Sequence, residues 1–265
     1  MKGLVGSTLV YFGGFLLLVF FLLPIAGLFS AAPVFRFWPL LFDPGVVGAV
    51  KLSLWTTFIS TLIAVLFGTP LAYFLARRRS WGTRLIDAII DLPMVLPPAV
   101  AGIALLMAFG RVGLFGSLLE GLGLGIAFSS VAVVLAQLFV ASPLYIRAAK
   151  SGFESVSVEL ERVSQTLGVP PFLTFFRVTV PLAFPSLLGG LVATWARALG
   201  EFGATLLFAG NFVGQTRTMP LAIMSALESD VDAAVVLSIL MVLLSFLLLS
   251  LVRFSLSRGW ERVGV

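Results

Sequence analysis

Residues Glu159–Pro181 read ELERVSQTLGVPPFLTFFRVTVP and form the longest polar-rich interruption in an otherwise apolar chain. The apolar run Ile126–Ile146 precedes the stretch and Leu182–Ala209 follows it. Each run reaches the roughly 20 residues a helix needs to cross about 30 Å of hydrocarbon. An organised polar segment between two such runs marks the wet side of a membrane protein, and this contrast decides the fold class. Working outward, four further runs of similar character are Leu9–Phe29, Val46–Leu75, Leu85–Phe109 and Ala233–Val252. Backbone groups in lipid must be satisfied within the segment, and no period-2 alternation suggests a barrel. The expectation is an all-α integral membrane protein with six transmembrane helices, the polar loop lying between the fourth and fifth.

Composition agrees. Of 265 residues, 60% are hydrophobic and 11% charged, and the mean hydropathy is +1.13. A soluble domain carries about 25% charged residues. The chain has no Cys and no His, which excludes disulfides, zinc sites of the usual type, and catalysis by His or Cys nucleophiles. The sequence points to no catalytic residue, no metal site and no cofactor. The net charge of +5 is explained by its location and not by nucleic acid. With the N-terminus in the cytoplasm, the inner segments hold Lys2, Arg77, Arg78, Arg79, Arg84, Arg147, Lys150, Arg162, Arg177, Arg253, Arg258 and Arg262. The outer side holds only Arg36, Lys51, Arg111 and Arg217, while Arg197 lies within a span. This bias places both termini and Glu159–Pro181 in the cytoplasm. The first run is longer than the apolar part of a secretory signal, so it is expected to be a retained span.

Within the loop, Val156, Leu160, Val163 and Leu167 fall at i, i+4, i+7 and i+11, one apolar stripe on a helix. Ser155 or Ser157 could cap its start, and Glu159 and Glu161 then fall near the first turn, where negative charge is favoured. Gly168 is a natural left-handed terminator, and Pro170-Pro171 prevents continuation. Phe172, Phe175 and Phe176 give a second apolar face, and Pro181 opens the next span. The expected shape is two short helices around a Gly hinge, lying across the membrane surface. Two readings stay open on these grounds: an interfacial helix packed only on its own protein, or a docking element for a partner.

The spacing resembles the "EAA loop" of the permease subunits of bacterial and archaeal ABC importers: Glu-Ala-Ala, three residues, Gly, nine residues, Ile-x-Leu-Pro. Here nine residues follow Gly168, and then come Val178-Thr179-Val180-Pro181. Val163 and Ser164 occupy the two small positions, and Glu161 stands one place earlier than the general motif puts its acid. Leu92-Pro93-Met94-Val95-Leu96-Pro97-Pro98, Ala198-Leu199-Gly200-Glu201-Phe202-Gly203-Ala204-Thr205 and Phe208-Ala209-Gly210-Asn211 look like the branch that imports tetrahedral oxyanions. Thr218-Met219-Pro220-Leu221-Ala222-Ile223, with Ala226-Leu227-Glu228, is most similar to molybdate/tungstate permeases; sulfate/thiosulfate permeases share much of the pattern. The resemblance implies a cytoplasmic coupling helix that docks on an ATPase, with Glu161, Val163, Ser164, Gly168 and Pro181 as the coupling residues. It also implies a homodimer with a second copy, two ATP-binding cassette subunits, an extracytoplasmic solute-binding protein and alternating access at the dimer axis in a prokaryotic cell membrane. The implied organisation is an N-terminal helix and outer loop at 1–45, a permease core at 46–253 with its coupling loop at about 149–181, and a cytoplasmic tail at 254–265.

The chain has no P-loop: the Lys150-Ser151 pair follows Ala149, not Gly. Energy must therefore come from a separate subunit. Candidate pathway or gate residues are Arg197, Glu201, Asp91 and Asn211. Arg197 and Glu201 sit at i and i+4 and share a helix face. Charges at mid-bilayer cost at least about 2.5–3.5 kcal/mol each, so they face protein or water. A structural ion pair and a gate both fit. Asp87 is placed to snorkel near Arg84, and Asp91 to accept from backbone donors freed by a break at Pro93, Pro97 and Pro98. The Gly-rich stretch Gly110–Gly125 reads as an outer turn. Asn211, Gln215, Thr216 and Arg217 form either a plain outer loop or a contact for a solute-binding protein. An ion-gradient carrier or channel is the competing class; it would need coordinating acids near midplane, where only Arg197 and Glu201 lie. A membrane-embedded enzyme lacks residues for its chemistry. Lipid is expected around the spans, and no nucleic-acid partner is indicated.

Overall fold

A computed structural model describes the backbone of residues 2–261 and the side chains of residues 11–250. The charges expected inside at Lys2, Arg253, Arg258 and Arg262 therefore lie outside the described side chains. Thirteen α-helices make up the described chain: α1 (Lys2–Ser30), α2 (Phe37–Leu41), α3 (Pro44–Arg77), α4 (Trp81–Val95), α5 (Pro98–Phe109), α6 (Gly116–Gly121), α7 (Ser130–Ser155), α8 (Val158–Thr166), α9 (Pro171–Thr174), α10 (Val180–Leu199), α11 (Gly203–Ala209), α12 (Met219–Ser229) and α13 (Val231–Glu261). Their starts follow local chemistry. Asp43 caps α3 by accepting from the Gly45 and Val46 amides, with Pro44 as its first residue. Ser80 and Thr83 form a reciprocal capping box on α4, and Ser129 caps α7. The helix α13 runs on to Glu261, so the expected tail at 254–265 begins as helix, and its last four residues lie outside the described ones.

Among the described residues, five helices are long and apolar enough to cross a membrane: Tyr11–Ser30, Pro44–Arg77, Ser130–Ser155, Pro171–Leu199 and Val231–Ser250. The sixth expected span, Leu85–Phe109, is not one helix. It is α4 and α5, bent by 117° at Leu96-Pro97. Pro97 and Pro98 have no N–H to donate, and Leu96 is forced into an extended conformation (ψ 135°) ahead of them. With 15 and 12 residues, the halves reach only about 22 and 18 Å. The expected span Leu182–Ala209 is also corrected. Its helix begins earlier, at Pro171, and stops at Leu199, and the short α11 follows a break at residues 200–202.

The bundle is built on α3, α7 and α10. Ser60 meets Gln137, Gly68 lies against Tyr145, and Arg77 meets Phe153, so α3 and α7 run side by side in the same direction. Helix α10 runs the opposite way along α7, with Ser186 against Gly152 and Gly190 against Ala148. The core is made of small residues and a few aromatics. One cluster centres on Ala132, Ala136 and Phe208, another on Ala72, Tyr145 and Phe153, and a third on Val46, Met219 and Leu237. A buried row of Ser53, Thr56, Thr57, Ser60 and Thr61 on α3 faces this interior, where Gln137 bonds Thr57 and Ser60. At the end opposite α8, Arg36 bridges Asp230 and Asp232 and ties the segment after α1 to the start of α13. None of residues 11–30 of α1 is buried within the chain.

Candidate functional site

The chain leaves α7 at Ser155, whose hydroxyl turns back to the Gly152 carbonyl. Val156 is buried, and Ser157 caps α8 by accepting from the Glu159 amide at 3.2 Å. Of the two serines able to cap this helix, Ser157 does so. The expected apolar stripe then divides. Val156 goes inward, but Leu160, Val163 and Leu167 are exposed. The one buried residue on α8 is Glu161, 6% exposed. The helix thus turns its acid toward the bundle and its apolar side chains away from it.

Arg77 is the physical reason for this inversion. Its Nη2 donates to Glu161 Oε1 at 2.6 Å, Thr179 Oγ1 donates to the same oxygen at 2.7 Å, and the Tyr73 hydroxyl donates to Oε2 at 3.2 Å. The guanidinium also donates to the Phe153 and Val156 carbonyls at 2.8 and 3.3 Å, at the C-terminal end of α7. Tyr73 carries the guanidinium over its ring and packs edge-on against Phe153 and Phe175. Burial by itself pushes the Glu161 carboxyl up. The bonds from Arg77, Thr179 and Tyr73 outweigh it and hold the carboxyl below its ordinary value.

Gly168 ends α8 in the left-handed region (φ +85°), and the Val169 amide closes back on the Ser164 carbonyl. The Ser164 hydroxyl lies 3.1 Å from Thr174 Oγ1, pinning α8 to α9. The expected second short helix does not stand alone. Helix α9 continues through a π-turn at Phe175–Thr179 into α10. Pro181 therefore does not open the span but sits just after this wider turn, which accommodates its missing N–H. Phe172 and Phe176 pack on each other and remain exposed on the helix that follows α8. Leu160, Val163 and Leu167 give α8 an exposed apolar face, and a fully partnered carboxylate lies on its inner side.

The pathway candidates do not come together. Arg197 Nη1 lies 2.8 Å from Glu201 Oε2, as the i, i+4 spacing predicts. Yet Glu201 is past the end of α10, only 1% exposed, and its other oxygen accepts from the Ala204 amide at 2.9 Å. Arg197 keeps a 37% exposed side chain. Asp91 does not accept from freed backbone donors; it takes a bidentate grip from Arg147. Asp87 pairs with Lys150 at 2.6 Å, not with Arg84. Both pairs tie α4 to the same end of α7 that carries α8. Asn211 bonds Ser225 and Arg217 and fastens its loop to α12. Sequence reading missed Arg77, Tyr73, Thr179 and Arg147 as members of these sites. Thr179 lies inside the quoted motif, but Arg77 is 84 residues from Glu161 and carries no local signal.

Comparisons with known proteins align with this geometry. Residues 68–262 match the family described as binding-protein-dependent transport system inner membrane component. The chain is 45% identical over 230 residues to the molybdenum transport system permease protein ModB of Mycobacterium tuberculosis, covering 87% of each chain. It is 39% identical over 198 residues to the molybdate/tungstate transport system permease protein WtpB of Thermococcus kodakarensis, covering 74% of this chain and 75% of that one. Among solved structures, a bacterial ABC transporter involved in import of the acidic polysaccharide alginate contains a chain of the same fold. The TM-score is 0.75 at 17% identity, over 97% of this chain and 98% of that one.

Proposed function

The chain belongs to the binding-protein-dependent transport system inner membrane component family, and from that premise we propose that it is the membrane-spanning subunit of an ATP-driven importer of molybdate or tungstate. The observation that carries this reading is the 45% identity to a molybdenum permease along 87% of the chain, joined to an α8 that presents its apolar face outward. In this reading ATP is hydrolysed by two ATP-binding cassette subunits that receive Leu160, Val163, Leu167 and Phe172, and the chain itself carries no catalytic group. Two copies enclose the path, an extracytoplasmic binding protein delivers the anion, and both termini are cytoplasmic. A tetrahedral dianion crossing between two copies needs positive potential without a tight site. Arg197 suits this: its charge is balanced by Glu201, yet its guanidinium remains partly open.

The test is reconstitution in liposomes with an ATP-binding cassette subunit and a solute-binding protein. Molybdate or tungstate uptake should require ATP, all three components and the chain. Uptake by the chain alone would assign it to carriers or channels, and uptake of sulfate in place of molybdate would move it to the sulfate/thiosulfate branch.

A further inference from the structure

We infer that Glu161 is a positioning residue that makes α8 drive three spans at once through Arg77, and that it does not itself touch the ATPase. The inference rests on the transporter reading above and goes beyond it by assigning the path of force. Glu161 is the only side chain by which α8 is buried in the bundle. The Ser164–Thr174 contact ties α8 to the first turn of the helix that continues into α10, and so reaches one of the three spans only. A load on the exposed apolar face of α8 therefore reaches α3 and α7 at the Glu161 carboxylate.

From there the load divides. Arg77 and Tyr73 belong to the cytoplasm-facing end of α3, Thr179 to the π-turn that leads into α10, and the two carbonyls held by Arg77 to the end of α7. One carboxylate is thus bonded, directly or through one guanidinium, to the three helices that form the bundle. The arrangement resists separation because a buried charge stripped of its partner is strongly destabilised. The covalent routes out of α8 are softer. One passes through Gly168 at φ +85° and then through the π-turn; the other is the capped turn at Val156-Ser157. Two further ion pairs, Asp87–Lys150 and Asp91–Arg147, carry the displacement from the end of α7 to α4. A partner pressing on α8 moves α3, α7 and α10 as one body, with the broken α4–α5 pair following.

The test uses the assembled transporter in liposomes, with Glu161→Gln and the milder Thr179→Val. Both variants should retain the ATPase subunit and its ATP hydrolysis. Anion uptake per ATP should fall about tenfold in Glu161→Gln, the scale of a lost charged bond in a coupling network, and less in Thr179→Val. Because the chain has no cysteine, spin labels at Gln165 and at Arg79, two residues past the end of α3, can report the separation of α8 from that end. It should stay fixed between nucleotide-free and ATP-bound wild type and broaden in Glu161→Gln. A merely structural pair would lower the yield of complex and leave uptake per ATP unchanged; that result overturns the inference. Loss of the ATPase from Glu161→Gln, with Thr179→Val like wild type, would place the carboxylate in the docking surface and overturn it too. A wild-type chain that binds no ATPase would instead overturn the transporter reading on which it rests.

Discussion

Glu161 sets the orientation of α8, and its chemistry predicts how that helix responds to acid. The carboxyl titrates below its ordinary 4.5 because the bonds from Arg77, Thr179 and Tyr73 outweigh the upward push of burial. A depressed carboxylate contributes stability that is complete above the unfolded value and is lost as pH falls through the folded one. Protection of the α8 amides against hydrogen exchange should therefore be flat from neutral pH down to about 4.5 and then collapse below it. Glu161→Gln should show weaker protection at neutral pH and no acid step. Hydrogen exchange measured by mass spectrometry against pH checks both. The sequence shows the acid and the apolar period of this helix, but not which side faces in. Periodicity assumes that apolar residues seek the interior. That assumption reverses where a half-buried guanidinium 84 residues away takes the polar side and the apolar side stays exposed.

At the scale of elements, the decisive features are the two breaks, and they differ in legibility. Pro97 and Pro98 announce the first, since neither can donate a backbone bond. The second, at residues 200–202, carries no proline. It exists because Glu201, only 1% exposed, gives one oxygen to Arg197 and the other to the Ala204 amide, starting α11 in place of another turn of α10. An i, i+4 reading of Arg197 and Glu201 finds the pair but not the second bond. The two breaks meet in space: a Cβ added at Gly203 would lie 2.6 Å from the Pro98 Cβ. Gly203→Ala should therefore cost about 1–3 kcal/mol through overpacking of α5 on α11. It should appear as a lower melting temperature of the detergent-solubilised chain. Gly189→Ala on α10, where an added Cβ meets nothing within 4 Å, should match or slightly exceed wild type, since alanine favours the helix.

The whole molecule has two chemically different ends, and the proposed function depends on which one faces the cytoplasm. Along one end lie Arg77, Arg78, Arg79, Arg84, Arg147, Lys150 and Arg162, together with α8. The other holds Lys51, Arg217 and the Arg36–Asp230 bridge. Retained Lys and Arg mark the cytoplasmic side, so this asymmetry, visible in the sequence, is what supports the orientation in the proposed function. What the sequence could not show is that the same end gathers the ion pairs joining α4 to α7 and α3 to α8, because those partners are separated by 56 to 84 residues. A chain without cysteine makes the orientation directly measurable. In intact cells a membrane-impermeant maleimide should label Val213→Cys, which is exposed on the far loop. Gln165→Cys, exposed on α8, should be labelled only after permeabilisation. Labelling of Gln165→Cys in intact cells would put α8 on the side where there is no ATP, and an apolar surface there could not be the seat of an ATPase. Protection of Leu167→Cys, exposed on the apolar stripe, that appears only when the ATPase subunit is co-expressed and the cells are permeabilised would instead identify the exposed apolar face of α8 as the surface that subunit covers.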